Sequence, residues 1–498
     1  MSKIRVTHSG LIALIVNLIT VLTGILFTIL ITRKLSPDEF GIWSLIGTLV
    51  NYFLISQPII SFWTTREIAR GEDVGRTAFI SSLMFSIGMI PAYLALIHLV
   101  YQNNTYLNSM ILATFLIPLS FIGTVLESIN LGFRPTSNSY SLILFESLKI
   151  PVGLILVLFF NLGVIGAVLT TIIAFSAKIL LHLYLGRTIL RGKFLTKDLL
   201  RWIKLSWLPI YNRISGILFS LDVFIYSIIT HSFIGVAYYA ASMSISNIIN
   251  NAGQVSQALY PKLLSKGSQE LIKTNLRYVF YFGILFVTIS INFSKPGLFV
   301  LNPAYSDIYI ISIIIALRTF FYVITTNLYQ ILLGLETVDV EKTYEFSKIV
   351  KSKLFIVPTI QLFHYGSYIV TISITVSILF SQGFSELAIL GWWSSIMLGF
   401  QICVLIYTVY VTRKSINNFI SIKYLGKYLI GSVGISTIYY FTSPQVILYK
   451  NKILDFLPGI VTELLICVSA YLLITYLIDN STRALFQNIL KELFRKKL

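Results

Sequence analysis

Charge is scarce in this chain. Only 12% of its 498 residues are Asp, Glu, Lys or Arg, while 56% are hydrophobic. A soluble chain of this length could not hide so much apolar surface, so the expected fold class is an all-α polytopic membrane protein. Cysteine is almost missing, and Cys403 and Cys467 both fall in apolar runs, which argues against disulfides and a zinc site. His8, His98, His182, His231 and His364 are scattered and make no metal-ligand set. No Gly-rich phosphate loop ending in Lys-Ser or Lys-Thr occurs, so the chain is not expected to hydrolyse ATP. No outer loop is long or pairs acids with aromatics in the way a metal-assisted glycosyl transfer needs. An enzyme is therefore not expected, nor any cofactor.

Long apolar runs are what the chain has instead. Fourteen can be marked, at about 10–31, 41–63, 78–101, 107–130, 140–160, 163–185, 206–230, 234–258, 276–294, 308–333, 356–383, 386–411, 425–443 and 454–478. Each is long enough to cross about 30 Å of hydrocarbon as a helix. The first has no small-residue cleavage site before Arg33 and is expected to be kept. The charged stretch from Glu336 to Lys353 reads as an interfacial helix ahead of the eleventh run.

The net charge of +18 comes from 38 Lys and Arg against 20 Asp and Glu. In a soluble protein that excess would suggest nucleic acid. Here most of the basic residues fall in the termini and the even-numbered loops, which predicts that both termini are cytoplasmic in the plasma membrane. Anionic lipid accounts for the rest of the excess, and no nucleic-acid partner is expected. Sequons at Asn103 and Asn292 fall on or beside the predicted outer face, but one at Asn480 falls inside, so they decide little.

Between the first two runs, Ser36-Pro37-Asp38-Glu39 spells a helix start: an N-cap, a proline at N1 and an acid at N3 to complete a capping box. The same region anchors an internal repeat. Thr23-Gly24-Ile25-Leu26-Phe27 recurs as Ser215-Gly216-Ile217-Leu218-Phe219, and Phe40-Gly41 recurs as Ile234-Gly235. Arg66 to Gly71 has a counterpart in Pro261 to Gly267, and Leu131-Gly132-Phe133 in Leu333-Gly334-Leu335. Six runs separate the copies, so both enter from the same side and the repeat is parallel. That implies two pseudo-symmetric six-helix lobes, 1–200 and 201–415, with a transport path between them, and two extra helices with a basic tail in 416–498.

Ionisable groups at membrane depth are costly and mark cavities or paths. Lys149 and Glu146 are three apart in the fifth run and can pair; Lys178 lies in the sixth, Arg213 and Asp222 in the seventh, Arg318 in the tenth and Glu463 in the fourteenth. The functional reading is that Lys149, Lys178, Arg213 and Arg318 line a cavity for an anionic group, with Arg the better phosphate fork. Against it, Lys178 and Arg213 could snorkel to the cytoplasmic face, and Lys149 could simply neutralise Glu146. Glu146, Asp222 and Glu463 read as coupling-ion residues or as partners for the cations. Arg66 and its neighbours are first of all topological determinants, with a headgroup role as the alternative reading, and Arg33 reads as a contact at the outer mouth.

Arg33-Lys34-Leu35-Ser36-Pro37-Asp38-Glu39-Phe40-Gly41-Ile42-Trp43 resembles the Arg-x-Leu-Gly-Pro-x-Glu-Phe-Gly-x-Tyr signature of the polysaccharide and oligosaccharide-lipid flippases of the multidrug/oligosaccharidyl-lipid/polysaccharide (MOP) exporter superfamily. Asp222 to Gly235, Tyr238-Tyr239-Ala240-Ala241, Pro261-Lys262-Leu263 and Gly163-Val164-Ile165-Gly166-Ala167 are similar to further motifs of that family. Ser36 and Trp43 depart from it, as does an insertion before the twelfth run. The resemblance spans nearly the whole chain. It implies a V-shaped flippase that moves a polyprenyl or dolichyl (pyro)phosphate-linked oligosaccharide from the cytoplasmic to the outer leaflet by alternating access, in contact with membrane lipids and with a proton or sodium ion for coupling. Two alternatives stand beside it: a MATE-like drug or cation antiporter, which would want an acidic cavity, and a membrane oligosaccharide polymerase or ligase, which would want a large outer loop.

Overall fold

In the computed structural model the described residues are 6–134, 136–254, 269–335, 352–415, 422–484 and 487. They are almost wholly helical, with no strand among them. Ten described helices or continuous helix pairs are long and apolar enough to cross a membrane, or eleven if one bent pair counts as a span. The described parts of the fourteen runs are largely helical. The difference in number comes from α1 (Val6–Lys34), the bent pair, a broken helix at 233–254, and the more polar α18 (Ile422–Val446). The expected interfacial helix lies outside the described residues between 336 and 351, as does the repeat counterpart at 261–267.

The turn after α1 forms as its residues dictate. Glu39 N donates to Ser36 Oγ at 3.2 Å and Ser36 N donates to Glu39 Oε2 at 2.9 Å, closing the capping box that starts α2 (Pro37–Phe53). The second run does not make one straight helix. It bends by 66° into α3 (Pro58–Ala69). Pro58 has no amide hydrogen for the preceding turn and its ring crowds the carbonyl four residues back, so the helix must restart there. The Gln57 carboxamide crosses to the Ser120 carbonyl at 3.3 Å and holds the bend against a neighbouring helix.

Contacts divide the chain into two compact units, Met1–Ala237 and Tyr238–Leu498. The first contains α4 (Gly75–Tyr101), α5 (Leu107–Leu112), α6 (Leu116–Phe133), α7 (Thr136–Gly153), α8 (Gly163–Gly186), α9 (Thr196–Lys204) and α10 (Trp207–Thr230). Ile60, Val125, Leu126, Ile129, Ile179 and Trp202 make a shared core beneath α3, α6, α8 and α9. Outward faces keep large apolar side chains, Leu99 at 81% and Phe159 at 76% exposure, as helices bathed in hydrocarbon require.

The second unit holds most of α11 (Phe233–Ser246), then α12 (Asn251–Gln254), α13 (Gln269–Asn292), α14 (Ser294–Leu301), α15 (Tyr309–Gly334), α16 (Lys353–Ser381), α17 (Glu386–Ser415), α18 and α19 (Ile453–Ile478). Val279 of α13 and Ala316 and Val323 of α15 form one of its cores with Ile249 and Ala252. α18 and α19 attach to α13 largely by polar contacts. Thr288 and Ser432 hydroxyls meet at 2.7 Å, and Tyr471 OH donates to the Tyr281 carbonyl at 3.0 Å. In hydrocarbon such bonds and close packing, rather than apolar burial, hold helices together.

The glycines of the two pairs matched in the sequence fall in two kinds of surroundings. A Cβ on Gly41 would run into the Phe233 backbone carbonyl, and one on Gly235 would run into the Tyr226 phenol. Gly24 and Gly216, the other repeat-related pair, both face open space.

Candidate functional site

The densest meeting of buried charge is in the first unit, where α7 packs against α1 and α8, and α8 packs against α6. One turn of α7 presents Phe145, Glu146 and Lys149. As expected from their i,i+3 spacing, Lys149 Nζ and Glu146 Oε2 pair, at 2.6 Å, with 12% and 5% of their side chains exposed. Thr23 Oγ1 of α1 donates to the same carboxylate oxygen at 2.5 Å. Lys178 of α8 pairs with Glu127 of α6. Both ammonium groups lie against one ring, 5.2 Å (Lys149) and 5.7 Å (Lys178) from the centre of Phe145, with Phe27 and Phe175 flanking them. Such rings stabilise a cation without neutralising it. The cluster therefore holds two positive charges in an aromatic setting, each with a carboxylate that an incoming anion could replace.

Glu127 is the residue that the sequence reading overlooks. It sits near the end of the fourth run as Lys178 sits near the end of the sixth, and equal depth was the available signal. One turn beyond Lys178, His182 Nδ1 meets Asn130 Nδ2 at 3.0 Å, tying α8 to α6 next to the pair.

Arg213 of α10 is partly buried, and its Nη2 donates to Asn51 Oδ1 of α2 at 2.9 Å. Close by in the same helix pair, Tyr52 OH donates to the Ser220 carbonyl. Asp222 is 1% exposed, with Oδ1 accepting from the Val223 amide. Arg66 is exposed and stacks over Phe62, its guanidinium carbon 4.0 Å from the ring centre. Arg33 is partly buried at the end of α1.

The second unit carries the other two. Arg318, at the middle of α15, is 3% exposed and lies over the Tyr322 ring at 4.9 Å. Its charge is felt by His364 and Tyr365 of α16. Glu463 of α19 is fully buried, where Thr442 Oγ1 of α18 donates to its Oε1 at 2.5 Å. The Cys467 thiol is 3.8 Å from the same oxygen.

A polar clamp at the base of α19 was not anticipated. Asp479 accepts from Arg277 Nη2 at 2.8 Å, Lys427 Nζ at 3.0 Å and Thr482 Oγ1 at 2.9 Å. Burial pushes its carboxyl up, but these hydrogen bonds outweigh burial and hold it at about 2. The clamp ties α13, α18 and α19 together at the end of the span.

Helices of this number, length and apolarity define a class: multi-pass, all-helical membrane proteins. No protein-family model and no curated protein matches the sequence. Among solved structures, the chain is similar to the lipid II flippase MurJ in an inward closed conformation, with a TM-score of 0.66 at 15% identity over 94% of this chain and 98% of that one. It is also similar to an inward-facing multidrug resistance MATE family transporter of the MOP superfamily, with a TM-score of 0.59 at 15% identity over 80% of this chain and 95% of that one. What is shared at such identity is the fold. Both neighbours are transport proteins.

Proposed function

We propose that this chain is a flippase for a polyprenyl or dolichyl (pyro)phosphate-linked oligosaccharide, carried from the cytoplasmic to the outer leaflet by alternating access. The observation that carries the reading is the pair of half-buried lysines around Phe145, joined along the chain by Arg213 and Arg318 at membrane depth. A phosphate is the anionic part of such a lipid, and Lys and Arg are the side chains that bind it. Sugars, being large and hydrated, need few strong contacts beyond that. The similarity to the flippase over 94% of the chain, against 80% for the MATE transporter, supports the same choice.

In this reading residues 1–200 and 201–415 are the two lobes, 416–498 adds two helices and a basic tail, and both termini are cytoplasmic at the plasma membrane. Arg66 and Arg33 are peripheral headgroup contacts. Glu146, Asp222 and Glu463 are the acids open to a coupling proton or sodium ion. A MATE-type antiporter for cationic cargo is the less favoured reading, because Glu146 is already held by Lys149. The test is charge reversal at Lys149, Arg213 and Arg318 in turn, with export of lipid-linked glycan and the amount of folded protein measured together. Each should stop export while the protein persists; normal export in all three ends the proposal.

A further inference from the structure

Helices α16 and α17 pack along only part of their length. In the C-terminal half of α16, Tyr368, Ile372 and Val376 are buried, and the Trp393 indole N–H of α17 donates to Tyr368 OH at 2.8 Å. Towards the Lys353 end the two helices part. They leave a cavity of about 600 Å³ lined by Phe355, Thr359, Phe363 and Ser367 on α16 and by Phe400, Cys403 and Tyr407 on α17. The four-residue spacing puts the α16 positions on one face. Ile356, Ile360 and His364, which continue the buried Tyr368, Ile372 and Val376 line, also border the cavity.

The cavity's dimensions and charge indicate what it takes. From Phe355 to Ser367 the stripe runs roughly 18 Å at 1.5 Å per residue, a little over half of the ~30 Å hydrocarbon thickness. It therefore serves one leaflet. Phe363 is 76% exposed and Tyr407 47%, so the opening is sideways, into hydrocarbon. At the deep end, the Tyr368 and Phe400 rings close it at 6.0 Å between centres. The described charges at the mouth are all positive: Lys353 opens α16, and Arg413 and Lys414 end α17.

We propose that this cavity holds one hydrocarbon chain of an anionic phospholipid from the leaflet on the Lys353 side, with the phosphate against Lys353, Arg413 and Lys414. The assignment stands independently of the flippase reading. A chain reaching about half the bilayer fills the depth, and the basic mouth selects the headgroup, each Lys or Arg near the surface being worth about fivefold in partition.

The test uses the full chain in phosphatidylcholine nanodiscs carrying a trace of photoreactive lipid, with a diazirine midway along one acyl chain and either a phosphatidylglycerol or a phosphatidylcholine headgroup. Mass spectrometry then maps the adducts. The expected result is enrichment on the 355–367 and 400–407 peptides relative to Leu465 and Leu473, which face outwards from α19 at 61% exposure each. The anionic probe should be preferred, and R413Q and K414Q should each reduce that preference about fivefold. Thr359→Trp, which fills the cavity, should remove these adducts and spare those at Leu465 and Leu473. Adducts no denser than at those two positions, or equal for both headgroups, overturn the proposal. If Thr359→Trp fails to fold, the wild-type thiols give a second reading. Cys403 is exposed and Cys467 buried, so maleimide labelling in detergent reports Cys403. Added phosphatidylglycerol should slow it, and an unchanged rate overturns the proposal.

Discussion

Lys149→Met separates a structural ion pair from a substrate contact. Glu146 is 3% exposed, and its carboxylate receives the Lys149 ammonium and the Thr23 hydroxyl. Removing the ammonium strands a buried charge on one hydroxyl, a change that costs about 3–5 kcal/mol. In a chain of 498 residues, where 1 kcal/mol moves the midpoint by roughly 1 °C, the unfolding midpoint should fall by roughly 3–5 °C. Glu146→Gln combined with Lys149→Met removes both charges and leaves an amide oxygen for Thr23, so stability should return to within about 1 kcal/mol. Midpoints in detergent by tryptophan fluorescence and glycan export in cells are then compared across the single and double variants. If Lys149 only neutralises Glu146, stability and export recover together. If it meets the phosphate, stability recovers and export does not. Wild-type export by the double variant refutes the phosphate contact, and an unshifted midpoint in the single variant refutes the energetic reasoning.

Gly41→Ala should destabilise by about 1–3 kcal/mol, since the new Cβ meets the Phe233 backbone carbonyl, which cannot move aside as a side-chain tip can. Gly216→Ala, with nothing within 4 Å, should be neutral or stabilising by up to about 1 kcal/mol, and thermal midpoints of the two variants check the contrast. Asp479 is held at about 2, below its ordinary 3.8, so its contribution to stability is full above the ordinary value and is lost as pH falls from about 4 towards 2. Unfolding midpoints between pH 6 and pH 2.5 should therefore drop more steeply for the wild type than for Asp479→Asn; parallel curves contradict this. Glu127→Gln takes a competing carboxylate from Lys178, and in proteoliposome assays it should raise apparent affinity for the lipid-linked glycan and slow its release.

Features set by near neighbours in the chain were readable beforehand. The Ser36–Glu39 capping box and the Glu146–Lys149 pair each need only a three-residue spacing and helical geometry. The helical, membrane-spanning character follows from run length alone. Partners brought in by packing were not readable. Lys178 meets Glu127 and Arg213 meets Asn51 across long stretches of sequence, and no local pattern selects those acceptors. The bend at Pro58 was hidden because a hydropathy run records apolarity and ignores the missing amide. Arg277, Lys427 and Asp479 lie at the ends of spans, where basic residues were counted only towards orientation, so the clamp they form went unseen.

In the proposed flippase a phosphate bound at the lysine cluster must also be released, and the pairing of the cations bears on how. A bare ammonium in hydrocarbon would be costly before substrate arrives and hard to part from a phosphate afterwards. With Glu146 and Glu127 in place, binding exchanges one charge-assisted contact for another, and release restores the first. The two exchanges are unequal. The Glu127 side chain is 35% exposed and has room to move aside when displaced, whereas that of Glu146 is 5% exposed and has nowhere to take its charge. Lys178 is thus the cheaper cation to free. A phosphate entering this cluster should displace Glu127 first, meet Lys178, and reach Lys149 only once its own charge compensates for the broken pair.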